Sequence, residues 1–331
     1  MGIGISTIAG YAPPRVVTNE ELAATVDTSD EWIRSHTGIR ERHIAGDGVF
    51  ASDLAIEAGR AVLGARGLGA DEIDLVLVAT SSPDYNPFPA TASLVQDALG
   101  CTNAGAFDLQ AGCSGFVYGL ESARGMVAAG SVRRVLLIGS EVLSKITNWS
   151  DRNTCVLFGD GAGAVIVESA EESGFGAVHA VTDSWLRSQG KDAAALIRAA
   201  GGTRLPFDSP EAGAAEFTVA MNGKKVYLFA VDALVKTVRA LCERNGLDTT
   251  SVDWIVPHQA NARIIEAAAK RLDLPIDRFY MCLDRYANTS AASIPIALSE
   301  MEQAELLSPG NRVITVGFGA GLTYGGNFIV W

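Results

Sequence analysis

The sequence predicts an α/β fold built as two related halves, and three observations carry that prediction. Short β-branched runs are almost continuously apolar, Ala-rich helical stretches alternate with them, and part of the pattern recurs along the 331 residues. The runs are Ile73–Ala79, Arg134–Gly139, Ala164–Glu168, Val252–Pro257 and Arg312–Gly317. Strands without polar alternation are covered on both faces, which points to largely parallel sheets. Helices expected between them span Ser52–Arg66, Ala90–Leu99, Ser114–Ala129, Tyr227–Asn245, Ala260–Leu272 and Ala291–Glu305, and would cover those sheets.

The recurrence joins Gly69–Val78 to Leu247–Val256, which share a helix end, a polar linker and a buried strand. A second matching strand follows at a similar interval, 60 residues from Asp74 to Arg134 and 59 from Asp253 to Arg312. Single cores stop growing at about 250–300 residues, so a chain of this length has room for two. The halves are placed at 1–172 and 173–331. Between Thr182 and Met221 glycine, proline and charged residues mix without a period, which reads as a surface excursion covering something.

Composition narrows the function classes. The formal charge of −12 argues against general binding to nucleic acid or an anionic membrane, so an anionic partner must meet a local basic patch. Met1–Ile5 lacks the basic and apolar regions of a signal peptide, and no run reaches the roughly 18 apolar residues of a spanning helix. A cytoplasmic protein is expected. The five cysteines (101, 113, 155, 242 and 282) are an odd number with no Cys-x-x-Cys pair, which suits neither a disulfide framework nor a zinc site. Four of them read as small buried hydrophobes.

Cys113 differs. In AFDLQAGCSGFVY an apolar strand enters a small-residue turn, and a helical pattern begins directly after the cysteine. A helix N-terminus favours an anion, so the thiol pKa is expected to fall towards neutrality, although a packed thiol fits the same residues. His258 follows the buried strand WIVP, where a site residue or a satisfied core histidine would sit equally well. Asn288 lies in a polar turn before a helix and could be an ordinary cap. The glycine run GFGAGLTYGG lacks the following helix and lysine of a phosphate-binding loop and reads as a tight turn offering backbone N–H groups to an oxyanion.

Together AGCSGF, VPHQANARII, YANTSAASIPIAL and GFGAGLTYG, with TSDEWIRSHTGIRERH near the N-terminus, resemble the β-ketoacyl-acyl-carrier-protein synthase III family over nearly the whole chain. The resemblance implies a thiolase-like five-layered αβαβα fold from two duplicated halves, usually a homodimer. It implies a transferase that condenses a short acyl-CoA primer with malonyl-acyl carrier protein to begin fatty acid biosynthesis, through an acyl-cysteine and with no permanently bound cofactor or metal. Cys113, His258 and Asn288 would be catalytic, and the N–H groups of Cys113 and Ala320 would form the oxyanion hole.

By the same resemblance Trp32 would stack on adenine, Arg152 would meet the adenine or phosphate end, and Gly223 and Asn261 would line the pantetheine channel. His36 stands where the family commonly has an arginine, so Arg34 or Arg40 is a substitute for that contact. Phe88 would close the neighbouring subunit's acyl pocket and favour a short primer. Arg263, Lys270 and Arg271 share a helical face and would dock the acidic carrier protein, with Lys224 and Lys225 close in sequence. The rival readings are a homologue priming a secondary, polyketide-type pathway and a non-catalytic partner subunit. The second of these conflicts with the presence of all three candidate catalytic residues.

Overall fold

The continuously apolar runs form strands whose alternate residues enter different cores. In the computed structural model, which describes residues 2–174 and 178–331, nine strands make one sheet: β1 (Ile3–Tyr11), β2 (Leu75–Ala79), β3 (Gly105–Leu109), β4 (Val135–Val142), β5 (Asp160–Ser169), β6 (His179–Ser188), β7 (Trp254–Pro257), β8 (Arg312–Gly319) and β9 (Thr323–Val330). Met1 and residues 175–177, which fall in the two predicted halves, lie outside the described residues. The strand order is β7-β8-β9-β6-β1-β5-β4-β2-β3. On β2, Leu75 and Leu77 face one core while Val76 and Val78 face another, as the period of two in a strand requires.

The sheet corrects the expectation of largely parallel pairing. Of its eight strand pairings among the described residues, three are parallel and five antiparallel. β1 and β6, which the sequence reading missed, and β9, which it read only as a strand over Phe328–Trp331, all pair only antiparallel, and this explains the difference. β6 also corrects the reading of Thr182–Met221 as wholly irregular: Thr182–Ser188 belongs to a central strand paired with β9. Its polar Thr182, Asp183 and Ser184 hid it from an apolar template. The remainder carries short turns and a two-residue pairing of Leu196–Ile197 with Ala220–Met221.

Pairing repeats from one half to the other. β1 is antiparallel to β5, β5 to β4, and β4 is parallel to β2, which is parallel to β3. Correspondingly β6 is antiparallel to β9, β9 to β8, and β8 is parallel to β7, which bridges in parallel to Phe279. The recurrent aspartates hold the same place. Asp74 accepts from the N–H groups of Arg133 and Arg134, and Asp253 from that of Arg312, each tying a strand entrance to its neighbour. The two sets of strands join through Gly4 opposite Ala180 and Ile5 opposite His179.

Seven helices matter for the site: α1 (Asp30–Thr37), α2 (Ala51–Arg66), α3 (Thr91–Leu99), α4 (Gly115–Ala128), α5 (Gly223–Arg244), α6 (Ala262–Leu272) and α7 (Ser293–Gln303). α5 begins at Gly223 rather than the expected Tyr227 because Asn222 caps it, its Oδ1 accepting from the Lys225 N–H. α2 and α3 cover one outer face and α5 and α6 the other, while α4 and α7 lie between the two halves of the sheet and each packs on strands of both. That is a five-layered αβαβα arrangement. Its central core joins Phe116, Val117 and Leu120 of α4 to Ile294, Leu298 and Met301 of α7.

Two strand glycines let the central turns come close. A Cβ at Gly139 of β4 would stand 2.4 Å from the Ala291 carbonyl oxygen, and one at Gly317 of β8 would stand 2.8 Å from the Ser114 Cα. Each half therefore leaves a gap in its strand for the turn of the other half.

Candidate active site

Both central turns open the buried helices, and between them they carry most of the candidate chemistry. Cys113 sits in the turn Gly112–Ser114 immediately before α4. The glycine run between β8 and β9 folds over it, so that a Cβ at Gly319 would lie 3.1 Å from the Cys113 Sγ and 2.8 Å from its backbone nitrogen. Gly112 is as close to Ala320, whose backbone nitrogen is 2.9 Å from where the Gly112 Cβ would be. Thr323 fastens the contact, its hydroxyl donating to the carbonyls of Ala111 (2.8 Å) and Ala320 (2.9 Å). The backbone N–H groups of residues 113 and 320 thus belong to two segments in direct contact.

The thiol pKa departs from expectation. Burial pushes Cys113 up to about 12; the Ser290 hydroxyl opposes this and the nearby Glu141 charge adds to it. The helix start is where the sequence put it, but desolvation of the thiolate is the larger influence.

His258 follows β7 and is buried. Its backbone N–H donates to Val316 of β8 at 2.7 Å, and its Nδ1 lies 2.7 Å from the Ser293 Oγ at the start of α7. Its ring meets the edge of Phe318 at 5.3 Å. Burial holds its pKa down to about 3, so the imidazole is neutral at ordinary pH. With Nδ1 engaged by Ser293, Nε2 is the nitrogen left for another partner.

Asn288 lies two residues before Ser290, whose φ is positive, and its Oδ1 accepts from the Ser290 N–H at 2.9 Å. Its backbone is clamped on both sides, donating to the Leu157 carbonyl and accepting from the Gly159 N–H. The Oδ1 bond fixes the amide with its NH2 group as the remaining donor. Cys113, His258 and Asn288 all border one cleft of about 750 Å³. Cys113 also borders a second cavity, of about 360 Å³, walled by Leu143, Ile146, Phe158, Leu196 and Val219.

The large cleft runs outwards past several of the other expected residues. Trp32, Arg152, Gly223, Asn261 and Arg263 border it. Trp32 is stacked on His36, with ring centroids 4.4 Å apart, and the Arg152 guanidinium stands 4.8 Å from the Trp32 ring. His36 therefore takes a place in the cleft wall, its Nδ1 tied to the Trp32 carbonyl. Asn261 uses both ends of its amide within the protein, capping α6 through the Arg263 N–H and donating to the His36 carbonyl. Lys270 and Arg271 are exposed on α6 away from the cleft, and Arg271 pairs with Asp232 at 3.3 Å. Phe88 lines neither cavity and is 79% exposed.

Sequence reading missed Ser293, Ser290 and Glu141. Ser293 and Ser290 lie inside the string YANTSAASIPIAL, where only Asn288 was singled out. Glu141 ends an apolar strand as a single charged residue, GSEV, which was the available signal.

Family models described as 3-oxoacyl-[acyl-carrier-protein (ACP)] synthase III and its C-terminal part match residues 107–184 and 242–331. A β-ketoacyl-[acyl-carrier-protein] synthase III of Caldanaerobacter subterraneus subsp. tengcongensis is 47% identical over 328 residues, covering 99% of this chain and 97% of the relative. Among solved structures, the synthase III of Thermus thermophilus superposes with a TM-score of 0.90 at 43% identity, covering 99% of both chains. A priming β-ketosynthase from the R1128 polyketide pathway gives 0.89 at 30% identity, covering 99% of this chain and 96% of the other. The chain belongs to the β-ketoacyl-acyl-carrier-protein synthase III family.

Proposed function

We propose that the protein is a β-ketoacyl-[acyl-carrier-protein] synthase III that condenses a short acyl-CoA with malonyl-acyl carrier protein and so initiates fatty acid biosynthesis. The observation that carries this is the convergence of Cys113, His258 and Asn288 on one cleft that Trp32 and Arg152 also border. The higher identity to synthase III relatives, 47% against 30% to the polyketide-priming enzyme, favours a primary over a secondary pathway.

In this reading Cys113 attacks the thioester carbonyl of the acyl-CoA, and the N–H groups of Cys113 and Ala320 receive the oxyanion. Coenzyme A departs, leaving an acyl-cysteine whose acyl group occupies the apolar 360 Å³ cavity. A malonyl thioester enters by the same cleft. The His258 Nε2–H and the Asn288 amide then donate to its thioester oxygen as CO₂ leaves and an enolate forms. A neutral imidazole suits that role, because it donates without bringing a charge that burial would oppose. The carbanion attacks the acyl carbonyl and releases the β-ketoacyl product from Cys113.

Trp32, His36 and Arg152 are assigned to the nucleotide end of coenzyme A, with Gly223 and Asn261 along the pantetheine arm. Arg263, Lys270 and Arg271, with Lys224 and Lys225, are assigned to the acidic carrier protein. A homodimer is supported by β3, an exposed edge strand, and by the uncovered Phe88 and Tyr85, which a second copy would bury. Phe88 then reaches the partner's acyl pocket. We place the protein in the cytoplasm and the boundary between halves at residues 172 and 173; among the described residues no helix is long and apolar enough to cross a membrane.

Intact-protein mass after mixing with a panel of acyl-CoAs, followed by malonyl-carrier protein, tests this directly. A short-chain adduct on Cys113 that condenses is the expected result. Adducts from long or aromatic acyl groups alone would assign a secondary pathway, and no adduct would remove Cys113 as nucleophile.

A further inference from the structure

Three of the four histidines hold an oxygen against Nδ1, and the oxygens are not alike. The His36 Nδ1 lies 2.8 Å from the Trp32 carbonyl oxygen and the His43 Nδ1 2.6 Å from that of Pro13. A carbonyl only accepts, so both of those rings carry a proton on Nδ1. His258 differs, because its Nδ1 faces the Ser293 Oγ at 2.7 Å and a hydroxyl either donates or accepts. The direction of that one bond decides which ring nitrogen carries the proton, and so whether Nε2 is a donor or an acceptor.

The surroundings of Ser293 fix the direction. Its Oγ also accepts from the Gln259 backbone N–H at 3.3 Å, a group that only donates and so occupies a lone pair. Among the described residues, His258 Nδ1 and the Gln259 N–H are the hydrogen-bonding neighbours of this hydroxyl. Ser293 is 2% exposed and borders neither cavity, and a buried hydroxyl proton without an acceptor is costly. The lone pair of Nδ1 is the acceptor within reach. We propose that Ser293 is a positioning residue whose hydroxyl donates to the His258 Nδ1 and thereby fixes the Nε2–H tautomer used as a donor in decarboxylation.

The backbone around this bond is held on every side. The His258 N–H donates to Val316 of β8 at 2.7 Å, and Ser293 is the first residue of α7. Between them the Gln259 amide donates to the carbonyls of Pro257 and Tyr280 and accepts from the Cys282 N–H. The second donor is committed in the same way, since the Ser290 N–H occupies the Asn288 Oδ1 and leaves the NH2 group outward. An amide and an imidazole each present a donor or an acceptor, and residues 288–293 settle both by donating a hydrogen into the acceptor atom. A charged imidazole would carry hydrogens on both nitrogens and strand the Ser293 proton. Burial, which disfavours the charged ring, acts in the same direction.

This role rests on His258 acting as a decarboxylation donor, and the experiment reads the tautomer apart from the activity. The whole protein, labelled with 15N-histidine, is studied by NMR at about pH 8.5, some two units above the ordinary histidine value, so that the rings are observed neutral. The signals of His258 are those absent from His258→Ala. Wild-type His258 should show its one-bond N–H coupling on Nε2 and a bare Nδ1, with His43 giving the opposite pattern in the same spectrum. Ser293→Ala should lose the exclusive Nε2–H pattern and lower malonyl-thioester decarboxylation by about 10- to 100-fold, while acetylation of Cys113 by acetyl-CoA stays within about threefold. Ser293→Thr keeps a hydroxyl and should keep the wild-type pattern. A proton on Nδ1 of wild-type His258 would overturn the proposal. So would an unchanged pattern in Ser293→Ala, or equal losses in both half-reactions, which a merely structural role would give. Where Ser293→Ala fails to fold, the wild-type spectrum alone decides. Undiminished decarboxylation by His258→Ala would instead sink the donor role of His258 and leave the tautomer assignment standing.

Discussion

The turns before α4 and α7 occupy equivalent positions in the two halves, yet one carries a thiol and the other an Asn-Thr-Ser sequence of hydrogen-bonding groups. The loops after the matching strands β2 and β7 diverge in the same manner. One supplies Thr80, Ser81 and Ser82 to a buried carboxylate, and the other supplies His258. Duplication preserved the pairing order and the central helices because the inner strands β2, β4, β5 and β8 are packed on both faces. It left the turns free to differ, since their backbone is held by neighbouring strands whatever side chain they present. In the proposed function the first half would then perform the covalent chemistry and the second would stabilise charge.

The sharpest division should appear when the thiol is removed. Cys113→Ala is expected to abolish the acyl adduct in intact mass while malonyl-thioester decarboxylation persists, with the melting temperature essentially unchanged. Truncating the opposite turn should invert the pattern. His258→Ala or Asn288→Ala should lower decarboxylation by about 10²–10³, the usual loss for one oxyanion donor, and leave self-acylation within several-fold. Equal losses in both half-reactions from either change would break the proposed division of labour.

Packing gives a smaller, symmetrical effect. Gly139→Ala and Gly317→Ala each drive a Cβ into the other half's turn, and each should lower stability by about 1–3 kcal/mol in urea denaturation, as overpacked sites do. A shallower dependence is expected with pH. His258 is held down to about 3 and His179, stacked on Trp331, to about 4, in both cases by burial. Unfolding restores both to about 6.5, so between about pH 4 and 6.5 the unfolded chain binds more protons and stability falls on acidification. Each histidine contributes about 1.4 kcal/mol per pH unit, and His258→Gln should flatten the slope of stability against pH by that amount.

Much of this architecture was legible because burial on both faces writes itself into sequence as an apolar run. The strands β2, β4 and β8 announced themselves in that way, and the 60- and 59-residue intervals marked the duplication. β6 was not legible, since its positions are mostly half-buried and its alternating polar residues match a surface segment. The site divided along the same line. Cys113, His258 and Asn288 follow strands or precede helices, where side chains converge, but the direction of the thiol pKa depended on how deeply the glycine loop covers it. Ser293 could not be separated from an ordinary polar residue at a helix start until its place against the His258 Nδ1 was visible.

The position of β9 has a consequence for how the protein is made. It lies inside the sheet between β8 and β6, and Thr323 at its start fastens the turn that holds Cys113. A ribosome delivers Cys113 some two hundred residues before Thr323, so the nascent chain carries its thiol long before it has a pocket. Until residues 323–330 emerge and insert, that cysteine lacks the clasp by which Thr323 fastens the glycine loop over it. In the proposed function, reaction of the thiol with a thioester would then wait on the order of synthesis, and a chain interrupted before β9 is expected to be a bystander rather than a partly active enzyme.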